Sequence, residues 1–397
     1  MNEVANSQNV HLERVLGEYD QNVSGPTVVF TCGIHGNEPS GVKAFSNVLD
    51  RLEEVKPAIS GRLIGLSGNI TALVEGERFI DEDLNRIWTQ ERINRLNDDT
   101  HVHELSVEEL EQKYMWDRLS KIFKMTNGPI YVIDLHTTSS ESQPFLSIND
   151  TLRNRHFAMK FPLPAILGIE EHLEGTILNY MNQLGHIAVG VEAGSHEDPA
   201  SVKNHEAAIW LALFYAGAIS PASIPNSHLF YEQLAKGTMN DKKVFEVRHR
   251  FKLAVDTAFI MNPGYTNFQK IHKNEFLAVH NYEEVRAKES GRIFMPLYQK
   301  LGNDGFFIIR EIRLFWLKVS EYLRRLKLEK ALPYLPGVSR HKGLDHELII
   351  NLRIARWYVI EFFHLLGFRR KEKKGKKLIL IKRKYDVQGP ELMQLMI

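Results

Sequence analysis

The chain has 397 residues, 43 % apolar and 25 % charged, with a formal net charge of +1. This is the composition of an ordinary soluble globular protein with room for two or three domains at roughly 150 residues each. Cys32 is the only cysteine, which excludes an intrachain disulfide and suits a reducing cytoplasm.

The first twenty residues, MNEVANSQNVHLERVLGEYD, lack a basic segment followed by an apolar run, so they do not read as a signal peptide. Thr27–Cys32 is an apolar, β-branched run and predicts a buried strand. Pro39 and Ser40 open a helix whose Val42, Phe45, Val48, Leu49 and Leu52 recur at helical spacing. Arg62–Leu66 and Ile130–Leu135 predict further strands. Between them, His101 to Lys124 predicts a charged helix with Leu105, Leu110, Tyr114, Leu119 and Phe123 as its inner residues. His186–Val191 predicts a strand and Ser201–Ala218 a helix. The longest apolar stretch, Ala207–Ile219, is too short to span a bilayer. Alternating strands and helices predict a mostly parallel sheet with helices on both faces, occupying residues 1–220.

SPASIPNS, from Ser220, carries two prolines and predicts a linker. Phe245, Val247, His249, Phe251 and Leu253 then alternate. Turn signals follow at Asn262-Pro263-Gly264, Ser290-Gly291 and Asn303-Asp304-Gly305. Residues 221–310 therefore predict a small antiparallel β module. Residues 311–397 hold 20 Lys and Arg against 9 Asp and Glu, whereas the rest of the chain holds 30 against 40. This basic extension reads as mainly helical, through LFWLKVSEYLRRLKL and HELIINLRIARWYVIEFFHLLGF. It is expected to pack on the acidic body or on a second copy in a homo-oligomer. The cluster Arg369 to Lys377 has no aromatic residue to stack on bases, so no nucleic-acid partner is expected. No membrane partner is expected either.

Three predicted strand ends carry chemistry. TVVFTCGIHGNEPSG brings His35 and Glu38, IYVIDLHTT brings His136, and HIAVGVEAG brings Glu192. Chemistry collects at the carboxyl edge of open α/β sheets. Two histidines and a carboxylate suit zinc and leave one coordination position open. A further carboxylate beside that position can act as general base. Gly33 and Gly36 let the first loop turn sharply enough to bring His35 and Glu38 to one point. Asp134 and Thr137 or Thr138 are candidates to orient a ligating His136. RFIDEDLNRIW adds Arg78, Asn85 and Arg86. The last two suit a substrate carboxylate, although Asp81, Glu82 and Asp83 could instead engage the arginines in ion pairs. His101-Val102-His103-Glu104 looks metal-like but lies in a charged stretch without strand context, where surface histidines are the simpler reading.

GIHGNEPSG, RFIDEDLNRIW, DLHTT and GVEAG, in this order, resemble the succinylglutamate desuccinylase/aspartoacylase family of zinc carboxypeptidase-like hydrolases. MNPGYTNFQKI and MPLYQKLGNDGFF resemble that family's C-terminal β module, so the resemblance covers residues 25–310 or so. It implies a single zinc per chain held by His35, Glu38 and His136, with Glu192 as general base. It implies that Arg78 polarises the scissile carbonyl and that Asn85 and Arg86 hold the substrate carboxylate. The expected activity is release of a carboxylic acid from a small N-acylated amino acid. A carboxypeptidase and a non-catalytic binding protein are the alternatives. The segment before Glu192, TILNYMNQLGHIAVGVE, lacks the arginine of the family's aspartate-specific members, and Tyr180 is a partial stand-in. Phe306 aligns with a tyrosine that members bring from the β module.

Overall fold

The computed structural model describes residues 12–96, 104–238, 242–254, 257–299, 301–341, 344–355 and 360–389. Its centre is an eleven-stranded mixed sheet. From one edge the strands run Val15–Asp20, Arg62–Ser67, Thr27–Cys32, Ile130–Thr138, Ile187–Ser195, Phe145–Ile148, Ala165–Leu167, Val244–Lys252, Asp304–Ile312, Gly291–Phe294 and Lys270–Ile271. The four neighbours from Arg62–Ser67 to Ile187–Ser195 are parallel, as the alternating pattern predicts. Antiparallel strands lie outside them. All six residues of Thr27–Cys32 are buried, because helices cover both faces there.

The helix Ser40–Val55 buries Ala44, Phe45, Val48 and Leu52, and Ala200–Ala216 packs beside it over the same sheet face. On the other face lie Val107–Met125 and Ile177–Gln183. Of the inner residues expected around Val107–Met125, Leu119 is buried and Leu105 and Phe123 pack against the same core, but Tyr114 is exposed. Glu108, Glu109 and Glu111 are buried with Met115 and Ile122, which periodicity does not announce because these carboxylates are buried as acceptors. Glu108 alone accepts from Asn69 Nδ2 at 2.8 Å and from the backbone N–H groups of Ile80, Asp81 and Glu82 at 2.7, 2.9 and 3.1 Å.

The strands expected to form a β module continue this sheet rather than standing apart. Val244–Lys252 pairs in parallel with Ala165–Leu167 and antiparallel with Asp304–Ile312. A three-stranded sheet of Glu283–Arg286, Phe276–His280 and Phe259–Met261 packs outside it.

The basic extension differs from its predicted helical form. It holds the helix Leu314–Arg325 and a four-stranded antiparallel sheet of Val338–His341, Leu344–Asn351, Lys377–Lys382 and Phe368–Lys374. The second stretch read as a helix is split. Its start belongs to the strand Leu344–Asn351, because Leu348 and Ile350 alternate into the extension's own core with Leu378 and Leu380, and only Ile360–Leu365 is helical. Val359 falls outside the described residues. Among the described residues no helix is long and apolar enough to cross a membrane.

A buried ionic cluster joins the extension to the body. Arg324 is 3 % exposed. It donates to Asp150 Oδ2 at 2.8 Å, to Asp386 Oδ1 at 3.1 Å and to the carbonyl oxygens of Asp150 and His364 at 2.8 and 2.6 Å. Arg383 donates to Glu170 and Glu171. Asp386 accepts from the N–H of Leu152 at 2.9 Å, at the start of the helix Leu152–Ala158.

Candidate active site

His35 and Glu38 sit in the loop after Thr27–Cys32. Gly33 has φ +68°, and a Cβ on Gly36 would lie 2.0 Å from the Ala72 carbonyl carbon, so the loop closes only with glycine there. His136 and Glu192 lie side by side in register on the parallel strands Ile130–Thr138 and Ile187–Ser195. The four residues thus come from three neighbouring strand ends at one sheet edge.

Glu38 stands between the two imidazoles. Its Oε1 is 2.8 Å from His35 Nδ1 and its Oε2 is 2.9 Å from His136 Nδ1, and Oε2 also accepts from the N–H of Thr137 at 3.0 Å. One ligand atom from each of His35, Glu38 and His136 lies within 4.8 Å of the others. The far nitrogen of each ring meets a second carboxylate. His136 Nε2 is 2.6 Å from Asp134 Oδ2, and Asp134 Oδ1 accepts from Thr31 Oγ1 at 2.6 Å. His35 Nε2 is 3.2 Å from Asp83 Oδ1. Paired outer carboxylates of this kind fix imidazole orientation in metal sites.

Burial and neighbouring charges set the titratable groups at this point apart from ordinary ones. Burial works to raise the pKa of Glu38, but the two imidazoles override it and hold the carboxyl well below its usual range. Burial works to lower His136, but Asp134 and Glu38 hold it well above the ordinary histidine value. Glu192 behaves oppositely. Burial pushes its pKa up to about 8, with Glu38 and Asp134 adding to the effect and His136 and Arg78 opposing it. Its Oε2 is buried without a hydrogen-bond partner among the described residues.

Arg78 lies beside the set, with Nη2 3.0 Å from Asp83 Oδ2 and Nη1 3.6 Å from Glu38 Oε1. The short turn Leu84–Arg86 is capped by Asp83, which accepts from the N–H of Asn85 at 2.8 Å. The loop before it is the one anchored by Glu108. Asn85 Oδ1 accepts from the N–H of Ile177 at 2.9 Å, which leaves its NH2 group for a ligand. Arg86 Nη2 lies 3.3 Å from Asp304 Oδ2. Asp304 also meets Arg250.

His35, Glu38, Arg78, Asn85, Arg86, His136 and Glu192 all line one cavity of about 120 Å³. Its wall includes Asn149, Leu178 and His196. Met295, Leu297, Gln299 and Asp304 close it from the β strands beyond residue 244. Two sequence expectations are corrected here. Tyr180 does not reach the cavity. Thr176 and Leu178 do, and Tyr180 turns to the other side of its helix, packed between Trp88 and Trp116 at centroid distances of 6.2 and 5.4 Å. Phe306 stacks on Phe251 away from the cavity, and its neighbour Phe307 lines it, as strand alternation requires.

Cys32 is buried and its thiol is pushed well above its ordinary pKa by burial, which suits packing and not nucleophilic attack. His101 to His103 lie outside the described residues. Asp83 pairs with Arg78, one of the arginines it is expected to engage, but its contact with His35 and the contacts of His196 and Asp304 are not legible in the sequence. His196 Nδ1 lies 2.7 Å from Thr137 Oγ1, a contact that no local spacing announces.

Fold and site together define an open α/β domain with a buried His-Glu-His set, able to hold a metal ion, beside a carboxylate that has one oxygen without a partner among the described residues. Residues 24–209, just under half of the chain, match the profile of the succinylglutamate desuccinylase/aspartoacylase catalytic domain. A succinylglutamate desuccinylase of Shewanella sp. (strain W3-18-1) is 34 % identical over 70 residues, covering 18 % of this chain and 20 % of that protein. The chain thus matches about a fifth of the length of such curated relatives. The crystal structure of a succinylglutamate desuccinylase/aspartoacylase from Rhodobacter sphaeroides has a TM-score of 0.54 at 20 % identity, covering 73 % of this chain and 87 % of that one. The succinylglutamate desuccinylase of Chromobacterium violaceum has a TM-score of 0.53 at 16 % identity, covering 75 % and 88 %. Both likenesses are of fold.

Proposed function

We propose that this protein is a cytoplasmic, zinc-dependent amidohydrolase that releases a carboxylic acid from an N-acylated amino acid. The observation that carries the reading is the pairing of a converged His35, Glu38 and His136 with a buried, unpartnered Glu192 oxygen in the same cavity. The donor set fits zinc: two imidazole nitrogens and one carboxylate, with each imidazole backed by a further carboxylate. When bound, zinc acts as a Lewis acid on water and on the scissile carbonyl.

The chain's own residues supply the rest. Glu192 Oε2 takes the proton of the attacking water and returns it to the leaving amine nitrogen. Burial is the main cause that raises its pKa to about 8, and a cation held by His35, Glu38 and His136 would lower it and favour the ionised form. Arg78, fixed by Asp83, presents its guanidinium toward the developing oxyanion. Arg86 and the NH2 group of Asn85 hold the substrate carboxylate. Met295, Leu297 and Gln299 narrow the cavity, which favours a single acylated amino acid over a peptide chain.

The experiment is metal analysis of the purified protein, followed by hydrolysis of a panel of N-acetyl and N-succinyl amino acids beside dipeptides. Stoichiometric zinc with turnover of acyl amino acids but not of dipeptides is expected. Dipeptide turnover alone would make it a carboxypeptidase, and zinc without any turnover would make it a binding protein.

A further inference from the structure

The helix Leu314–Arg325 turns Leu317, Ser320, Leu323 and Arg324 inward, with Ser320 and Arg324 buried and the two leucines packed against the cores. To solvent it shows Leu314 at 54 % exposure, Phe315 at 65 %, Trp316 at 48 % and Tyr322 at 65 %, and the chain beyond continues with Leu326 and Leu328. Isolated exposed apolar residues are normal on a protein surface, but a contiguous row along one helix marks an interaction site.

Cations are interleaved with this row. Arg313, Lys318, Arg325, Lys327 and Lys330 accompany it, and the single acid of the helix, Glu321, is paired with Arg325 and His156. Trp316 and Leu317 also line a cavity of about 560 Å³ between the helix and the body, with Ile312, Phe362 and Leu365 among its apolar lining. The apolar surface therefore continues inward from the exposed row. Charge is segregated on a larger scale too. The extension carries a surplus of positive charge and the remainder of the chain a surplus of negative charge. An anionic plane would attract the extension and repel the catalytic body, so the molecule would dock extension first.

We propose that this helix is a peripheral docking surface for anionic lipid membranes. Phe315, Tyr322 and Leu326, which share one face at helical spacing, enter the boundary between headgroups and acyl chains, and Lys318 and Arg325 lie against lipid phosphates. Aromatic and aliphatic residues with interleaved Lys and Arg are the composition of interfacial helices. A second copy of the chain is the poorer occupant. A two-fold contact sets the same patch against itself, and the cations Arg313, Lys318, Arg325, Lys327 and Lys330 outnumber Glu321, the single acid of the helix. Surface docking needs no bilayer-crossing segment, so it is compatible with the lack of one.

The test is co-sedimentation of the full-length protein with vesicles of phosphatidylcholine alone or enriched in phosphatidylserine. Wild type is expected to sediment with the anionic vesicles, less at raised salt, and not with the neutral ones. The double variant Phe315→Ser, Tyr322→Ser should bind at least ~10-fold more weakly, as loss of two buried aromatics implies. Both sites are solvent-facing, so its melting temperature should match wild type. Failure of wild type to bind anionic vesicles would overturn the proposal, as would equal binding by the double variant. A stable dimer in solution that the same substitutions dissociate would assign the surface to a second copy instead. Displacement from vesicles by an equal mass of oligonucleotide would assign it to nucleic acid.

Discussion

Glu192 and Asp150 are both buried carboxylates beside the same strand. Glu192 lies on Ile187–Ser195, and Asp150 follows Phe145–Ile148, which pairs with it. Burial pushes both pKa values up, yet they end on opposite sides of the carboxylate range. Glu192 rises to about 8. Asp150 falls far below its usual value because Arg155, Arg324 and Arg383 overcome the same desolvation. Depth of burial therefore does not separate a structural acid from a chemical one. Partners do: Asp150 is surrounded by guanidinium groups, and Glu192 has an oxygen that bonds to nothing described.

Substitutions can test that division. The largest effect should come from the metal set. His136→Ala removes one ligand and strands Glu38, so bound metal and nearly all activity should be lost while the circular dichroism spectrum is kept; full zinc occupancy in that variant would remove His136 from the ligands. Glu192→Gln preserves shape without a basic oxygen. Zinc should stay bound while kcat falls by about 10²–10⁴, the usual range for a lost general base. A kcat within a few-fold of wild type would move the base elsewhere.

The structural acid should respond in stability. Arg324→Met leaves Asp150 and Asp386 short of a buried counter-ion, a change that typically costs about 3–5 kcal/mol. Urea denaturation would measure it, and a loss below ~1 kcal/mol would mean that Arg155 and Arg383 suffice. Arg86→Met should raise KM more than it lowers kcat, by about 10–150-fold in kcat/KM, as expected for one charge-assisted contact. Equal hydrolysis of an acyl amino acid and its carboxamide would refute that role for Arg86.

The smallest effect concerns pH. The folded-state pKa of Asp150 is depressed, so its contribution to stability is present above the unfolded value near 3.9 and is lost as pH falls below it. Between pH 5 and 3.5 the loss from this one group should be under about 1 kcal/mol. Asp150→Asn should flatten that part of the stability profile, and an unchanged slope would show that other carboxylates set it.

Much of the site could be read from the chain alone, for a physical reason. The candidate ligands lie at the ends of β-branched strands, and the glycines that permit the first loop lie beside them in sequence. Asp134, two residues before His136, was legible in the same way. Asp83 was read only as a competitor for the arginines. It does pair with Arg78, but it also orients His35, and that second contact depends on how the 80–86 loop folds over Glu108. Tyr180 went wrong because helix phase, not sequence distance from Glu192, decides which side chains enter the cavity. The extension was misread because Leu348 and Ile350 fit a helical stripe and a strand face equally well, and only pairing with Leu378 and Leu380 selects the strand. Arg324 was invisible for a similar reason. An arginine in a basic segment reads as solvated until the three-dimensional partners, 174 and 62 residues away, are seen.

The bond from Leu152 to Asp386 spans 234 residues. Asn149, a wall of the cavity, is three positions before Leu152 in the segment held by that bond and by Arg324. Contacts this distant in sequence form late in folding. During synthesis the strands that carry the candidate ligands emerge well before Asp386, so the cavity wall stays without its final anchors until the extension has been made. Maturation of the cavity is thereby coupled to synthesis of the extension, and a nascent chain halted before Asp386 should show rapid amide exchange at Leu152 where a chain that includes it shows protection.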